Sequence, residues 1–246
     1  MAPKPAGAYD PGAYPPFAVT VDVVVVTVVD ESLQVLLIER GADPFGGQWA
    51  LPGGFVHEDE ALEAAAAREL AEETGLNAMP ALRQLGAFGD PGRDPRMRVV
   101  SVAYLAVVPR LPQVEAGSDA RRAELTPVRS VVGARARRRL AFDHLEIVTA
   151  GVARTRALLE TTPIATAFVD HPFTLSELRR VYEAVWGRAL DPGNFRRKVL
   201  SIPGFVNPTG RQAAPGPEGG KPADLYRAGR AIRLDPPLHQ PVARSR

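Results

Sequence analysis

Apolar and polar positions along this 246-residue chain fall into patterns that separate strands from helices. Phe17–Val29 is almost continuously apolar, with valine at positions 23–26, 28 and 29. β-Branching at such density favours a buried strand. The run is too short to cross a membrane, which takes about 20 apolar residues, and Asp22 interrupts it. A polar turn at Asp30–Ser32 leads to a second strand at Leu33–Glu39, and Gly41–Gly54 reads as a Gly- and Pro-rich loop. Glu60–Thr74 reads as a helix stopped by Gly75, a residue free to take the left-handed conformation that ends helices. Val99–Val108 is another buried strand, and Arg121–Arg139 is arginine-rich and reads as irregular. Phe142–Leu159 is a long amphipathic helix with Leu145, Val148, Val152 and Leu158 among its apolar positions. Strands and helices in this order predict an α/β or α+β front domain.

A second unit begins near Phe168. Thr174, Leu175, Ser176 and Glu177 have the spacing of a capping box, with an amphipathic helix expected as far as Trp186. After a short turn, Asp191 and Pro192 read as the cap and first residue of another helix, ending near Ser201. Phe205–Asn207 and Leu225–Arg227 are candidate strands flanking a Gly/Pro-rich loop. Two helices around a tight turn, followed by a hairpin, are the element order of a winged helix-turn-helix.

Composition excludes several chemistries. With no cysteine, the chain has no disulfide framework, Cys-ligated zinc, iron–sulfur cluster or thiol nucleophile. The total charge of +2 conceals a division: residues 1–170 hold 17 basic and 22 acidic side chains, net −5, and residues 171–246 hold 13 and 6, net +7. An acidic front and a basic back predict two domains with different partners, nucleic acid being a candidate for the second. The first 16 residues are rich in Pro, Gly and Ala, are expected to be disordered, and lack the basic start and apolar stretch of a secretory signal. A cytoplasmic protein without membrane association is the expectation.

The most informative segment is Gly53–Leu76. On a helix advancing about 100° per residue, with Glu69 as zero, Glu73 falls near 40° and Glu72 near −60°, while Leu62, Ala66 and Leu70 fall near 20°, 60° and 100°. Glu73 therefore sits inside the apolar stripe, with Glu69 and Glu72 at its edge. Such like charges repel by about 0.2–0.5 kcal/mol per pair on a surface, and more when shielded from water. A hard divalent cation resolves the conflict, and carboxylates beside a Gly-rich loop suit metal-assisted cleavage of a phosphate ester or anhydride. The alternative is a solvated acidic helix face.

The same segment resembles the Nudix box, G-x5-E-x7-R-E-U-x-E-E-x-G-U with U aliphatic. Gly54, Glu60, Arg68, Glu69, Leu70, Glu72, Glu73, Gly75 and Leu76 fill all nine fixed positions. The resemblance implies an α/β/α sandwich with a mixed sheet and a nucleoside diphosphate derivative, such as ADP-ribose, as ligand. It implies that Glu69, Glu72 and Glu73, helped by the Gly53 carbonyl, bind Mg²⁺ (or Mn²⁺), and that Arg68 orients the acids through an ion pair with Glu60. The ions would polarise the pyrophosphate and activate water. One departure concerns a later loop. Relatives with a D-A-A-E pattern carry Glu three residues after Asp, but after Asp119 this chain has Arg122 there; Glu115, Asp119 and Glu124 are the other acids nearby. Pro91, 15 residues beyond Leu76, is similar to a proline marker of ADP-ribose pyrophosphatases. Phe45 and Trp49 are candidates to stack on a base, with core or loop packing as the alternative. Arg40, Arg96 and Arg98 are candidates to contact phosphates, against isolated surface arginines.

In the second unit, the helix after Asp191 carries Asn194, Arg196, Arg197 and Lys198 opposite apolar Phe195, Val199 and Leu200. A DNA-reading helix needs this division between a core-facing stripe and a basic, amide-bearing face. Arg211 and Lys221 lie near a wing tip. The stretches PFGGQWALPGGFV, DPRMRVVSVAYLA, LAFDH, HPFTLSELRRVYEAVWGRALDPGNFRRKVL and KPADLYR resemble the Nudix-related transcriptional regulators from about Phe17 to Arg230. That family binds ADP-ribose or related ligands in its Nudix domain and double-stranded operator DNA, as homodimers, through a winged helix. The implied division is a Nudix domain over 17–160, a winged helix-turn-helix over 161–232 and a flexible tail over 233–246. Two readings follow: a ligand-responsive regulator, ranked first, and an Mg²⁺-dependent pyrophosphohydrolase without a regulatory role. Many members of the regulator family have degenerate boxes, whereas this box is complete.

Overall fold

In a computed structural model, residues 12, 15–76, 80–109, 111, 120–133, 136–214 and 222–241 are described. The valine run forms strand β1 (Ala18–Val29) at the centre of a seven-stranded mixed sheet. It is parallel to β6 (Val99–Val107) along one side. Along the other side it is antiparallel first to β4 (Gly53–Phe55) and then to β2 (Ser32–Arg40). The remaining strands are β3 (Trp49–Ala50) and β7 (Ala120–Pro127), both on β2, and β5 (Leu82–Phe88) on β6. Successive strand residues face opposite sides, and this parity sorts the core. Val21, Val23 and Val25 meet Ala65, Ala66 and Leu70 of helix α1 (Leu62–Thr74). Val24 and Val26 meet Ile147, Val148 and Val152 of helix α2 (His144–Thr161). The result is the α/β/α sandwich. Helix α2 seats closely because residue 151 is glycine: a Cβ there would stand 2.7 Å from Val24 Cγ1.

Several sequence expectations are corrected. The Gly41–Gly54 loop contains β3 and most of β4, too short to register as hydrophobic runs. The irregular Arg121–Arg139 segment contains most of β7, paired with β2 from Gln34 to Arg40. Its Ala123 and Leu125 pack against the sheet's α1-side core while Arg122 and Glu124 alternate with them. The first helix starts at Leu62, because Glu60 lies in a turn, its amide bonding the His57 carbonyl. Gly75 ends that helix at φ 68°. Leu145, read as apolar-face, is exposed.

The second unit has the expected order. A 3-10 turn (Pro163–Phe168) precedes β8 (Phe173–Thr174), α3 (Leu175–Trp186), α4 (Pro192–Ser201), β9 (Val206–Ala213) and β10 (Ala223–Ala228), the strands being arranged β8-β10-β9. The Thr174–Glu177 capping box forms reciprocally, and Asp191 caps α4 by accepting the Asn194 N–H at 2.7 Å. Tyr182, in edge-to-face contact with Trp186 and Phe195, centres the core. Its hydroxyl donates to the Leu159 carbonyl at the end of α2, so α2 belongs to both units and one apolar cluster runs through them. The described part of the segment expected as a flexible tail is packed instead. Leu234 and Leu238 are buried, and their amides bond the carbonyls of Thr161 and Glu160. Residues 242–246 and most of 1–16 lie outside the described residues.

Candidate ligand cavity and DNA-reading helix

A cavity of about 780 Å³ opens where β1 leaves β2 and pairs with β4, between α1 and the start of α2. Two glycines make the close approach possible. A Cβ on Gly53 would collide with the Val21 carbonyl, and one on Gly54 with the Glu69 carboxylate. Glu69, Glu72 and Glu73 all line the cavity, as do Gly53 and Arg68. Glu73 is 7% exposed and accepts the Gly53 N–H at 2.8 Å. Burial, with the negative charges of Glu69 and Asp22 adding, pushes its carboxyl up to about 8. Burial also raises Glu69, against the pull of Arg68. Glu72 is half-exposed.

Arg68 is the hub of the acidic wall. It grips Glu60 with Nε and one terminal nitrogen at 3.1 and 2.6 Å, and donates to Glu69 at 2.8 Å, Glu72 at 3.2 Å and the Phe55 carbonyl. The Arg68 hydrogen bond, with the His57 amide, holds the Glu60 carboxyl down to about 2. Arg68 and the Gly53 amide thus occupy the three box carboxylates, and among the described residues no three metal-ligating side chains are gathered on one point. The donor set nevertheless fits a divalent ion: hard oxygens only, with a buried carboxyl that burial keeps protonated when no cation balances it.

The opposite wall was not assigned from sequence. Strand parity puts Asp22 on the α2 side, where His144 Nε2 lies 3.3 Å from Oδ1. Because His144 Nδ1 accepts the Leu51 N–H at 2.9 Å, its proton is on Nε2, facing Asp22. Burial lowers the His144 pKa. Ser101 donates to Asp22 Oδ2, and Arg93, its side chain 4% exposed, bridges Asp22 at 3.4 Å and Asp143 at 2.6 and 2.7 Å. Removing one partner of a buried ion pair leaves the other charge uncompensated and costs about 3–5 kcal/mol. Arg93→Met is therefore expected to lower stability by that amount in urea unfolding; a loss under about 1 kcal/mol would show that water replaces the guanidinium. The signals were present as Asp22, the only charge in the valine run, and as the LAFDH stretch containing Asp143 and His144.

The candidate substrate residues divide. Arg40 lines the cavity, its guanidinium 4.8 Å from the Phe142 ring centre and its Nε bonded to the Pro44 carbonyl. Arg96 also lines it, paired with buried Asp94. Phe45, Trp49 and Arg98 are not on its lining. Phe45 packs edge-on to Phe142 over Ile38, Ala50 and Ala141, so core packing claims it. Trp49 is covered by Arg138, 4.3 Å from a ring centre. Arg98 lies over Phe17. The aromatic faces on the cavity belong to Phe55 and Phe142. Pro91 is exposed beside the cavity-lining stretch with Arg93, Asp94 and Arg96. Glu124 is bonded to Arg138 at 3.2 Å and is not on the lining, while Glu115 and Asp119 lie outside the described residues.

Helix α4 presents Asn194, Arg196, Arg197 and Lys198 exposed, with Phe195 and Val199 buried beneath. Arg197 donates to Asn194 Oδ1 at 2.8 Å, and Arg196 reaches Asp224 on β10 at 3.3 Å. Arg211 is exposed on β9; Lys221 lies outside the described residues.

Residues 18–150 match the NUDIX domain family, and 165–228 match the NrtR DNA-binding winged helix domain. The chain belongs to the Nudix family, in the two-domain form that joins a Nudix domain to an NrtR-type winged helix. It is 33% identical over 221 residues to the ADPR responsive transcriptional repressor NtrR of Acinetobacter baylyi, covering 89% of this chain and 85% of that one. The crystal structure of Shewanella oneidensis NrtR complexed with a 27mer DNA is similar over 90% of this chain and 99% of that one, at 31% identity and TM-score 0.69. The NUDIX domain of the same Shewanella protein, complexed with ADP ribose, is similar over 61% of this chain and 94% of that one, at 37% identity and TM-score 0.53. Hydrolases of the Nudix family generally use divalent metal ions.

Proposed function

We propose that this chain is a transcriptional regulator that binds operator DNA through α4 and the β9–β10 wing and responds to ADP-ribose, or a related nucleoside diphosphate derivative, in the acidic cavity. The observation that carries this reading is the union, through a single core, of a complete Nudix cavity with an exposed basic helix capped for DNA reading. The relatives support it: one carries ADPR responsiveness and repression in its name, and two structures hold DNA or ADP ribose. In the cavity, Arg40 and Arg96 offer donors to a pyrophosphate, and Phe55 and Phe142 offer apolar faces. Mg²⁺ or Mn²⁺ held by Glu69, Glu72, Glu73 and the Gly53 carbonyl would supply positive charge to the phosphates and acidify a bound water. The working form is a cytoplasmic homodimer, matching the two-fold symmetry of a palindromic operator.

A gel shift of the full chain on its own upstream DNA at physiological salt tests this. A sequence-specific shift relieved by ADP-ribose is expected. No specific shift, with Arg196, Arg197 and Lys198 variants behaving like wild type, would sink it. A second reading, hydrolysis of the same ligand, is favoured by the complete box. AMP release from ADP-ribose with Mg²⁺ tests it, and equal turnover by wild type and Glu72→Gln would remove the box from the chemistry.

A further inference from the structure

A second cavity, about 530 Å³, lies between the units, bounded by the β1–β2 turn, the 3-10 turn Val128–Ser130, α2 and the C-terminal end of α3. Four arginines line it. One is balanced: Arg180 pairs with Glu31 at 3.4 Å. The other acid on the lining, Glu183, is consumed by Arg179 at 2.6 Å and the Leu190 N–H at 2.7 Å. Arg129, Arg156 and Arg188 have no carboxylate partner among the described residues. Arg156 and Arg188 each spend one donor on a carbonyl, of Val185 and Pro241, which leaves the rest of each guanidinium uncommitted. Both burial and the charge of Arg188 disfavour protonated Arg156. Three exposed cations from three separate elements thus border one concave site whose lining also includes apolar Val128, Val132 and Ala184. Guanidinium forks match phosphate oxygens bidentately and hold them more firmly than isolated ammonium groups do.

We propose that this interdomain cleft is a second anion site, taking a phosphorylated small molecule whose phosphates are held by Arg129, Arg156 and Arg188. The site is separate from the acidic cavity and shares no lining residue with it. Its occupant would tie the front domain to α3 and to the turn that leads into α4.

Inorganic pyrophosphate is the probe, titrated calorimetrically into the full chain. The background is the Arg40→Gln, Arg96→Gln variant in EDTA, which removes the metal and the two arginines offered to a ligand in the acidic cavity; the other two on its lining, Arg68 and Arg93, are held by carboxylates. Binding is expected, weakened tenfold or more by Arg129→Gln and by Arg156→Gln. Among the described residues the Arg129 side chain makes no hydrogen bond or ion pair that its replacement would break, so that variant isolates the charge. Absence of binding, or unchanged affinity in Arg129→Gln, would overturn the proposal. So would loss of operator affinity in Arg129→Gln with pyrophosphate affinity intact, which would assign the cleft to the DNA backbone.

Discussion

Glu73→Gln is expected to stabilise the metal-free protein near neutral pH and to abolish its stabilisation by Mg²⁺. The wild-type carboxyl rises from 4.5 in the unfolded chain to about 8 in the fold, chiefly because it is buried. Below 4.5 both states are protonated and folding is not penalised. As pH climbs towards 8, the unfolded state ionises while the fold resists ionisation, so stability drains away across that window and levels above it. A tenfold change in proton affinity corresponds to about 1.4 kcal/mol, and relaxation around the charge reduces the full effect, leaving on the order of 3 kcal/mol. Glutamine copies the protonated form and keeps an acceptor for Gly53, so its melting temperature should be nearly flat over the same range. A divalent ion reverses the ordering: at 100 times its Kd it adds about 2.7 kcal/mol to wild type and far less to the variant. Thermal melts between pH 5 and pH 9, with EDTA or Mg²⁺, measure both effects. Parallel curves for the two proteins would show that Glu73 neither titrates in the window nor meets the metal.

The double variant Arg197→Ala, Lys198→Ala should lose operator affinity by about a hundredfold or more at physiological salt while melting like wild type. A bidentate base contact is worth about 1–3 kcal/mol of discrimination, and each lost phosphate contact lowers the slope of log K against log salt by about 1. Both side chains are exposed and Phe195 and Val199 hold the helix in place, so stability should be untouched. Asn194→Ala should relax sequence preference more than it lowers overall affinity, because an amide reads base edges and carries no charge. Fluorescence anisotropy over a salt series, on operator and on scrambled DNA, separates the two effects. An unchanged salt slope in the double variant would place the DNA on another face.

What the sequence revealed, and what it hid, follows from the reach of each signal. The acidic box was legible because a helix fixes the relation of Glu69, Glu72 and Glu73 from their spacing, and the observed burial gradient follows that wheel. The capping box at Thr174 and the cap at Asp191 were legible because they are local. The cluster of Asp22, Arg93, Asp143 and His144 was not, since its members are up to 122 residues apart and come from a strand, a loop and the start of α2, which only the tertiary fold brings together. Strand β7 was hidden because arginine content masked its alternation, and the packing of Leu234 and Leu238 because two leucines in a Pro-rich stretch carry no period. Phe45 and Trp49 were misplaced for a different reason: an aromatic near a Gly-rich loop announces packing as readily as stacking, and only the tertiary contacts, Phe45 on Phe142 and Trp49 under Arg138, distinguish the two.

Helix α2, about 27 Å long for its 18 residues, begins at His144 in the cavity wall and in its last turn presents the Leu159 carbonyl to Tyr182. If ligand binding at one end of this helix is coupled to DNA binding by the unit at the other, the exchange is reciprocal by thermodynamic necessity: whatever factor the ligand takes from DNA affinity, DNA takes from ligand affinity. In a regulator of the proposed kind, the metabolite level that opens a promoter is then set by the operator as well as by the protein. Promoters with tighter operators would be released later, so one cavity could read a single metabolite as a graded schedule across several genes.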